Sequence, residues 1–138
     1  MNVELANQLY TGAYFVALVV PFIIRASGGF RKTGVIRTIF GVMLSAFIMA
    51  TLVIAAWYSL DLALEQHLST LDKDGDSVWT EEEQRSWSET DWRYYNLAMG
   101  DGGRNVFAVS VFPIFSVMYT VLVFGCFSFM QWLKRKHA

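Results

Sequence analysis

The sequence predicts an all-α fold: a polytopic membrane protein with three transmembrane helices and an extramembrane helix-loop-helix insertion between the second and the third. Three observations carry this. Apolar residues make up 54% of the 138 positions and charged residues only 17%. With a mean hydropathy of +0.36, that is too greasy for a soluble domain with so few turn residues. The apolar content is gathered into three runs, each long enough to cross a hydrocarbon layer about 30 Å thick. All twelve Asp and Glu sit at the N-terminus or between the second and third runs.

The first predicted span covers residues 3–25, where Glu4, Asn7 and Gln8 are the strongly polar members before an apolar stretch from Leu9 to Ile24. Pro21 is expected to kink or end it near its last turn. A secretory signal peptide carries its basic residues ahead of the apolar stretch, whereas here they follow it, so the segment reads as a retained helix. Residues 26–34 form a connector with the turn pair Gly28 and Gly29 and the basic pair Arg31 and Lys32.

The second span covers residues 35–60, with Trp57 and Tyr58 placed for an interfacial aromatic belt. No Gly or Pro intervenes between Val42 and Asp74, and Leu64, Leu68 and Leu71 continue the helical spacing. The helix is therefore expected to run past the lipid as a short stalk, unless Ser69 or Thr70 interrupts it. Residues 61–105 form the extramembrane segment. Within it residues 99–105 read as a flexible turn. The third span covers residues 106–133, with Pro113 expected to kink it and Gln131 and Trp132 at the interface. A basic tail, 134–138, follows.

Charge sets the expected orientation. Arg25, Arg31, Lys32 and Arg37 flank the first connector, and Lys134, Arg135 and Lys136 follow the third span, without one acid among them. The positive-inside rule puts the connector and the C-terminus in the cytoplasm, and the N-terminus and residues 61–105 outside it. An odd number of spans agrees with termini on opposite faces. The membrane is a plasma membrane or bacterial inner membrane. An ER membrane is the alternative, because Lys134 and Lys136 stand where a dilysine retrieval signal has its lysines.

Residues 72–83 read DKDGDSVWTEEE. Oxygen-bearing side chains fall at loop positions 1, 3, 5, 9 and 12, as Asp72, Asp74, Asp76, Thr80 and Glu83, which is the ligand spacing of an EF-hand calcium loop. Over these residues, and more weakly over the preceding helix, the chain resembles the EF-hand superfamily. The resemblance implies Ca2+ held by Asp72, Asp74, Asp76, the backbone carbonyl of Val78, Thr80 and Glu83, with the apolar Trp79 at the pairing position. Ser77 stands at position 6, where Gly is usual, and forcing a non-Gly residue toward positive φ costs about 1 kcal/mol. Thr80 is placed to cap an exiting helix that begins in the acidic run Glu81 to Glu83. That helix offers Trp87, Trp92, Tyr94 and Tyr95 in place of a regular apolar stripe.

Other chemistry is poorly served. No charged residue lies deep in a span, which excludes the usual proton relays and voltage sensors. Cys126 stands alone, and His67 and His137 fall on opposite sides of the membrane. No nucleophile-base constellation or phosphate-binding loop is present, so neither enzymatic activity nor nucleic-acid binding is expected. Small residues four apart, Gly41 with Ser45, Ala46 with Ala50 and Ser116 with Thr120, suit close helix packing, within the chain, with copies of itself or with a larger membrane protein. The leading expectation is a calcium-responsive regulatory or accessory subunit of a membrane assembly, in contact with the lipid bilayer and a larger membrane protein. The alternatives are a subunit of an oligomeric channel or transporter with calcium at its outer mouth, and a structural protein with a constitutive calcium staple.

Overall fold

The computed structural model describes residues 2–27, 34–76 and 78–136, apart from the side chains of Asp101 and Gly102. The basic pair Arg31 and Lys32, the Ser77 turn position and His137 lie outside the described residues. Helix α1 spans Val3–Ala26, opened by Asn2, whose side chain accepts the Glu4 amide at 3.0 Å. It continues through Pro21 for another turn and closes on Ser27, whose hydroxyl donates to the Ile24 carbonyl at 2.6 Å.

Helix α2 spans Val35–Ser69, 35 residues without a break. At 1.5 Å per residue it is about 52 Å long, roughly 22 Å more than a 30 Å hydrocarbon layer is thick. The expected unbroken continuation of the helix past residue 60 is present. It ends two residues short of Leu71 because the Ser69 and Thr70 hydroxyls donate to the Gln66 and His67 carbonyls. The Thr70 and Leu71 amides bond to carbonyls three residues back, which tightens the last turn.

The exiting segment is broken into pieces. Helix α3, Glu81–Gln84, is a single turn, and α4, Glu89–Met99, starts afresh on a second capping box made by Ser88 and Asp91. Residues 99–105 do not form the expected flexible turn. Helix α5, Asp101–Val106, runs into a π-helical turn at Phe107–Val111 and then α6, Phe112–Lys136. The Arg104 guanidinium donates to the Leu97 carbonyl at the end of α4, giving this glycine-rich stretch a side-chain tie that turn propensity does not register. The π turn has its own cause. Pro113 has no amide to give to Val109, and a widened turn just before it redistributes the bonds, with Phe112 donating to the carbonyl of Phe107.

Three helical stretches, 3–26, 35–69 and 103–136, are long and apolar enough to cross a membrane. Only 28% of the most hydrophobic window of each is buried, so most of that apolar surface faces outward, as lipid contact requires. Helix α2 is the centre of the packing, with α1 and α6 against it. The lower core joins Ala17, Val20, Met49, Val53, Ala108 and Phe112. Ser45, Ser116 and Thr120 are fully buried, with hydroxyls returned to their own helix carbonyls. These small residues serve contacts within the chain.

Arg25 is 4% exposed, with its guanidinium 5.9 Å from the rings of both Phe124 and Phe127. Sequence reasoning treated it as a topological flank, whereas it also ties α1 to α6 through its cation face. A second core lies above the lower one, where Val3, Ala6 and Tyr10 meet Leu60, Ala63, Leu64 and Tyr94. This upper core seats α4 on the stalk and fixes the acidic loop between them.

Candidate metal centre

The acidic loop is organised by its own side chains. Asp72 Oδ1 accepts the Gly75 amide at 2.8 Å, Asp74 Oδ1 the Asp76 amide at 3.4 Å, and Asp76 Oδ1 the Val78 amide at 2.7 Å. Each bond folds an Asp back over the next two or three residues. Gly75 supplies the left-handed step, at φ 75°, which a side chain with Cβ resists. The result is one carboxylate oxygen from each of Asp72, Asp74 and Asp76 within 4.8 Å of one another. Hard oxygen donors of that number, convergent and at least partly exposed, suit a divalent cation of the calcium or magnesium type.

Glu83 occupies a different place from the three Asp. Its Oε1 accepts the Lys73 amide at 2.7 Å, while its Oε2 accepts the Thr80 amide at 2.9 Å and the Thr80 hydroxyl at 3.0 Å. The carboxylate therefore bridges the two ends of the loop and is itself 7% exposed. Thr80 is committed to the capping box with Glu83, and the Val78 amide is taken by Asp76. Of the six sequence-predicted ligands, the structure brings Asp72, Asp74 and Asp76 together and holds Glu83 at the loop's base.

The electrostatics follow the hydrogen bonds. Donation from the Lys73 amide, then from Thr80, holds the Glu83 carboxyl below its ordinary pKa. Asp74 behaves in the opposite way. The Asp76 amide alone would lower its pKa, but partial desolvation, the charges of Asp76 and Glu83 and the neighbouring Asp72 carboxyl outweigh it and leave Asp74 raised. The neighbouring carboxylates thus disfavour the charged form of Asp74.

Two ties hold the loop to its supports. The Trp79 indole Nε1–H donates to the Leu68 carbonyl at 3.3 Å, and its ring meets Tyr95 edge-on at 5.7 Å. Gln84 Nε2 donates to the Trp79 carbonyl at 2.8 Å. On the opposite face of the stalk, His67 Nε2 lies 2.8 Å from Asp91 Oδ1, with the Tyr94 ring edge-on to the imidazole at 4.9 Å. Asp91 is held below the usual carboxylate range by the Ser88 hydroxyl and amide first, and by His67 after them. Sequence reasoning missed the His67–Asp91 pair. The Ser88 to Asp91 capping spacing was readable, but nothing local pairs residues on either side of the loop.

The aromatic residues beyond the loop turn on one another. Trp87 is 9% exposed and packs against Trp92 at 5.0 Å and Tyr95 at 5.2 Å. Tyr94 faces the other way, into the upper core. Trp79 joins the same group through Tyr95, so the loop, the connector after α3 and α4 share one aromatic cluster. No protein-family model, no curated protein and no solved structure matches this chain.

Proposed function

We propose that the protein is a calcium-binding integral membrane protein that acts as a calcium-responsive regulatory or accessory subunit of a larger membrane assembly. In this reading the N-terminus and the loop lie on the extracytoplasmic face and the C-terminus in the cytoplasm, from the distribution of Lys and Arg. The observation that carries the calcium assignment is the convergence of Asp72, Asp74 and Asp76 within 4.8 Å. It occurs in a loop whose twelfth position, Glu83, already lies at its base. Asp72, Asp74 and Asp76 would hold the ion and the Val78 carbonyl would add a neutral oxygen, while Thr80 and Glu83 would complete the cage, as in an EF-hand, by giving up the bonds they make to each other and to the Lys73 amide.

The supports give the loop a readout. The ligating side chains stand between the end of α2 and the start of α3, while Trp79 and the aromatic cluster connect the loop to α4. An ion that draws the carboxylates together stiffens the loop that joins the stalk to α4, which the upper core already seats. Extracytoplasmic calcium modules work at about 0.1 to 1 mM, the range expected for a single exposed loop. Isothermal titration of the purified protein with calcium and with magnesium tests the assignment. Calcium should bind in that range and more tightly than magnesium, and Glu83→Gln should weaken it by at least the roughly tenfold that loss of a supporting group costs. No calcium heat in the wild type, or equal binding in Glu83→Gln, defeats the reading.

A further inference from the structure

The end of the bundle where α2 begins and α6 finishes carries positive charge that no acidic side chain answers. The sequence has no Asp or Glu between Leu5 and Leu60 or after Asp101, so no carboxylate lies on α2 below Leu60 or anywhere on α6. Arg37 is exposed in the first turns of α2, and Lys134 is exposed near the end of α6. The other cations here rest on rings, Arg25 against Phe124 and Phe127 and Lys136 against Trp132. Arg37 stands instead among open apolar side chains, with Val35, Ile36 and Ile39 exposed by 76%, 83% and 59%. In a bilayer, side chains so apolar and so exposed face acyl chains, and a guanidinium among them sits at the margin of the hydrocarbon, where it is costly unless it reaches an anion.

A crevice of about 440 Å³ opens beside Arg37, between α2 and α6, lined by Gly34, Val35, Thr38, Ile39 and Ser128. A second hollow, lined by Gly34, Val35, Ile36 and Arg37, shares two of these residues. Gly34 leaves the junction open, since even a Cβ there would meet nothing within 4 Å. The two form one path, walled by Val35 and Ile39 and ending at the Arg37 guanidinium.

We propose that this path holds a phospholipid whose headgroup is net negative, with an acyl chain along Val35 and Ile39 and the phosphate on Arg37. Lys134, about 9 Å beyond Ser128 along α6, adds attraction from the other wall. A zwitterionic lipid offers the same phosphate but brings an ammonium among Arg37, Lys134, Arg135 and Lys136, where no acidic side chain receives it. Net charge therefore selects the headgroup. The site needs only that the helices lie in a bilayer, and it is independent of the calcium reading.

The test reconstitutes the full-length protein in nanodiscs of phosphatidylcholine with a minor fraction of phosphatidylglycerol and reads the lipids retained on ejection by native mass spectrometry. Phosphatidylglycerol should be retained about fivefold above its share in the disc, the preference that one cation at an anionic headgroup supplies. Arg37→Gln should return the retained lipid to the disc's own composition. Ser128→Phe, which keeps every charge and fills the crevice, should do the same, and it decides the question even where Arg37→Gln does not insert. Retention at the disc's ratio in the wild type, or a preference that survives Arg37→Gln, overturns the proposal. A preference lost in Arg37→Gln but kept in Ser128→Phe overturns the crevice as its place. Displacement of the lipid by millimolar inorganic phosphate overturns the lipid assignment and leaves a plain anion site.

Discussion

Truncating Leu64 to Ala isolates the upper core, because Leu64 is 2% exposed and lies where α1, the stalk and α4 meet. At about 13 Å beyond a 30 Å hydrocarbon layer that begins at Val35, this position competes with water and not with lipid. Removing its three outer carbons forfeits about 0.8 kcal/mol each. A cavity term adds to this, since the neighbours Ala6 and Ala63 are too short to fill the space and the helices below are fixed by the lower core. The cost comes to about 2.5 to 4 kcal/mol. Hydrogen exchange read by mass spectrometry is the assay. Peptides from α4 and from the first two turns of α1 should exchange about a hundredfold faster, while those around Met49 and Thr120 keep their protection. Unchanged exchange in α4, or an equal loss in both cores, would refute the idea that two separate cores hold the bundle and the loop support.

Ser88→Ala removes the side-chain cap of α4 and should destabilise that helix by about 1 kcal/mol, seen as faster exchange at its first turn. Asp91 has its pKa depressed in the fold, so its contribution is fully present above the ordinary carboxylate pKa and is lost as pH falls through the depressed one. The protection of α4 relative to its intrinsic exchange rate at each pH should therefore be flat from neutral pH down to about 4 and fall below it. Asp74 is shifted upward by its acidic neighbours, so protons should compete with calcium, and calorimetry should show affinity falling as the buffer is acidified from neutral toward the carboxylate range. For the orientation, a Cys126→Ala protein carrying Glu81→Cys should react with a membrane-impermeant maleimide in intact cells, and labelling only after lysis would reverse the proposed topology.

Much of the architecture was readable because lipid imposes one simple rule, that an apolar run long enough to span must be a helix. The three spans and the continuation of α2 into a stalk followed from run length and from the missing Gly and Pro after Val42. The Asp72, Asp74 and Asp76 cluster was readable for a similar reason. Each of these side chains bonds an amide two or three residues away, so the cage is built from local chemistry. Glu83 was only partly readable, since its place at loop position 12 was plain but its bonds to Lys73 and Thr80 were not. The glycine-rich stretch at 100–103 misled in the opposite direction, because propensity measures a residue's freedom and not the Arg104 tie to Leu97 that removes it.

What the sequence determined by itself is the all-helical class of the protein, its three helices long and apolar enough to cross a membrane and the acidic loop, all of which depend on run length or on contacts between near neighbours. What only the tertiary structure decided is how that loop is mounted. The His67 and Asp91 pair, the seating of Tyr94 in the upper core, the burial of Arg25 against α6 and the crevice between Thr38 and Ser128 all join residues far apart in the chain. Their partners are selected by which helix faces meet when the bundle closes, and that choice depends on shape and burial across the whole molecule, which no short stretch of residues encodes.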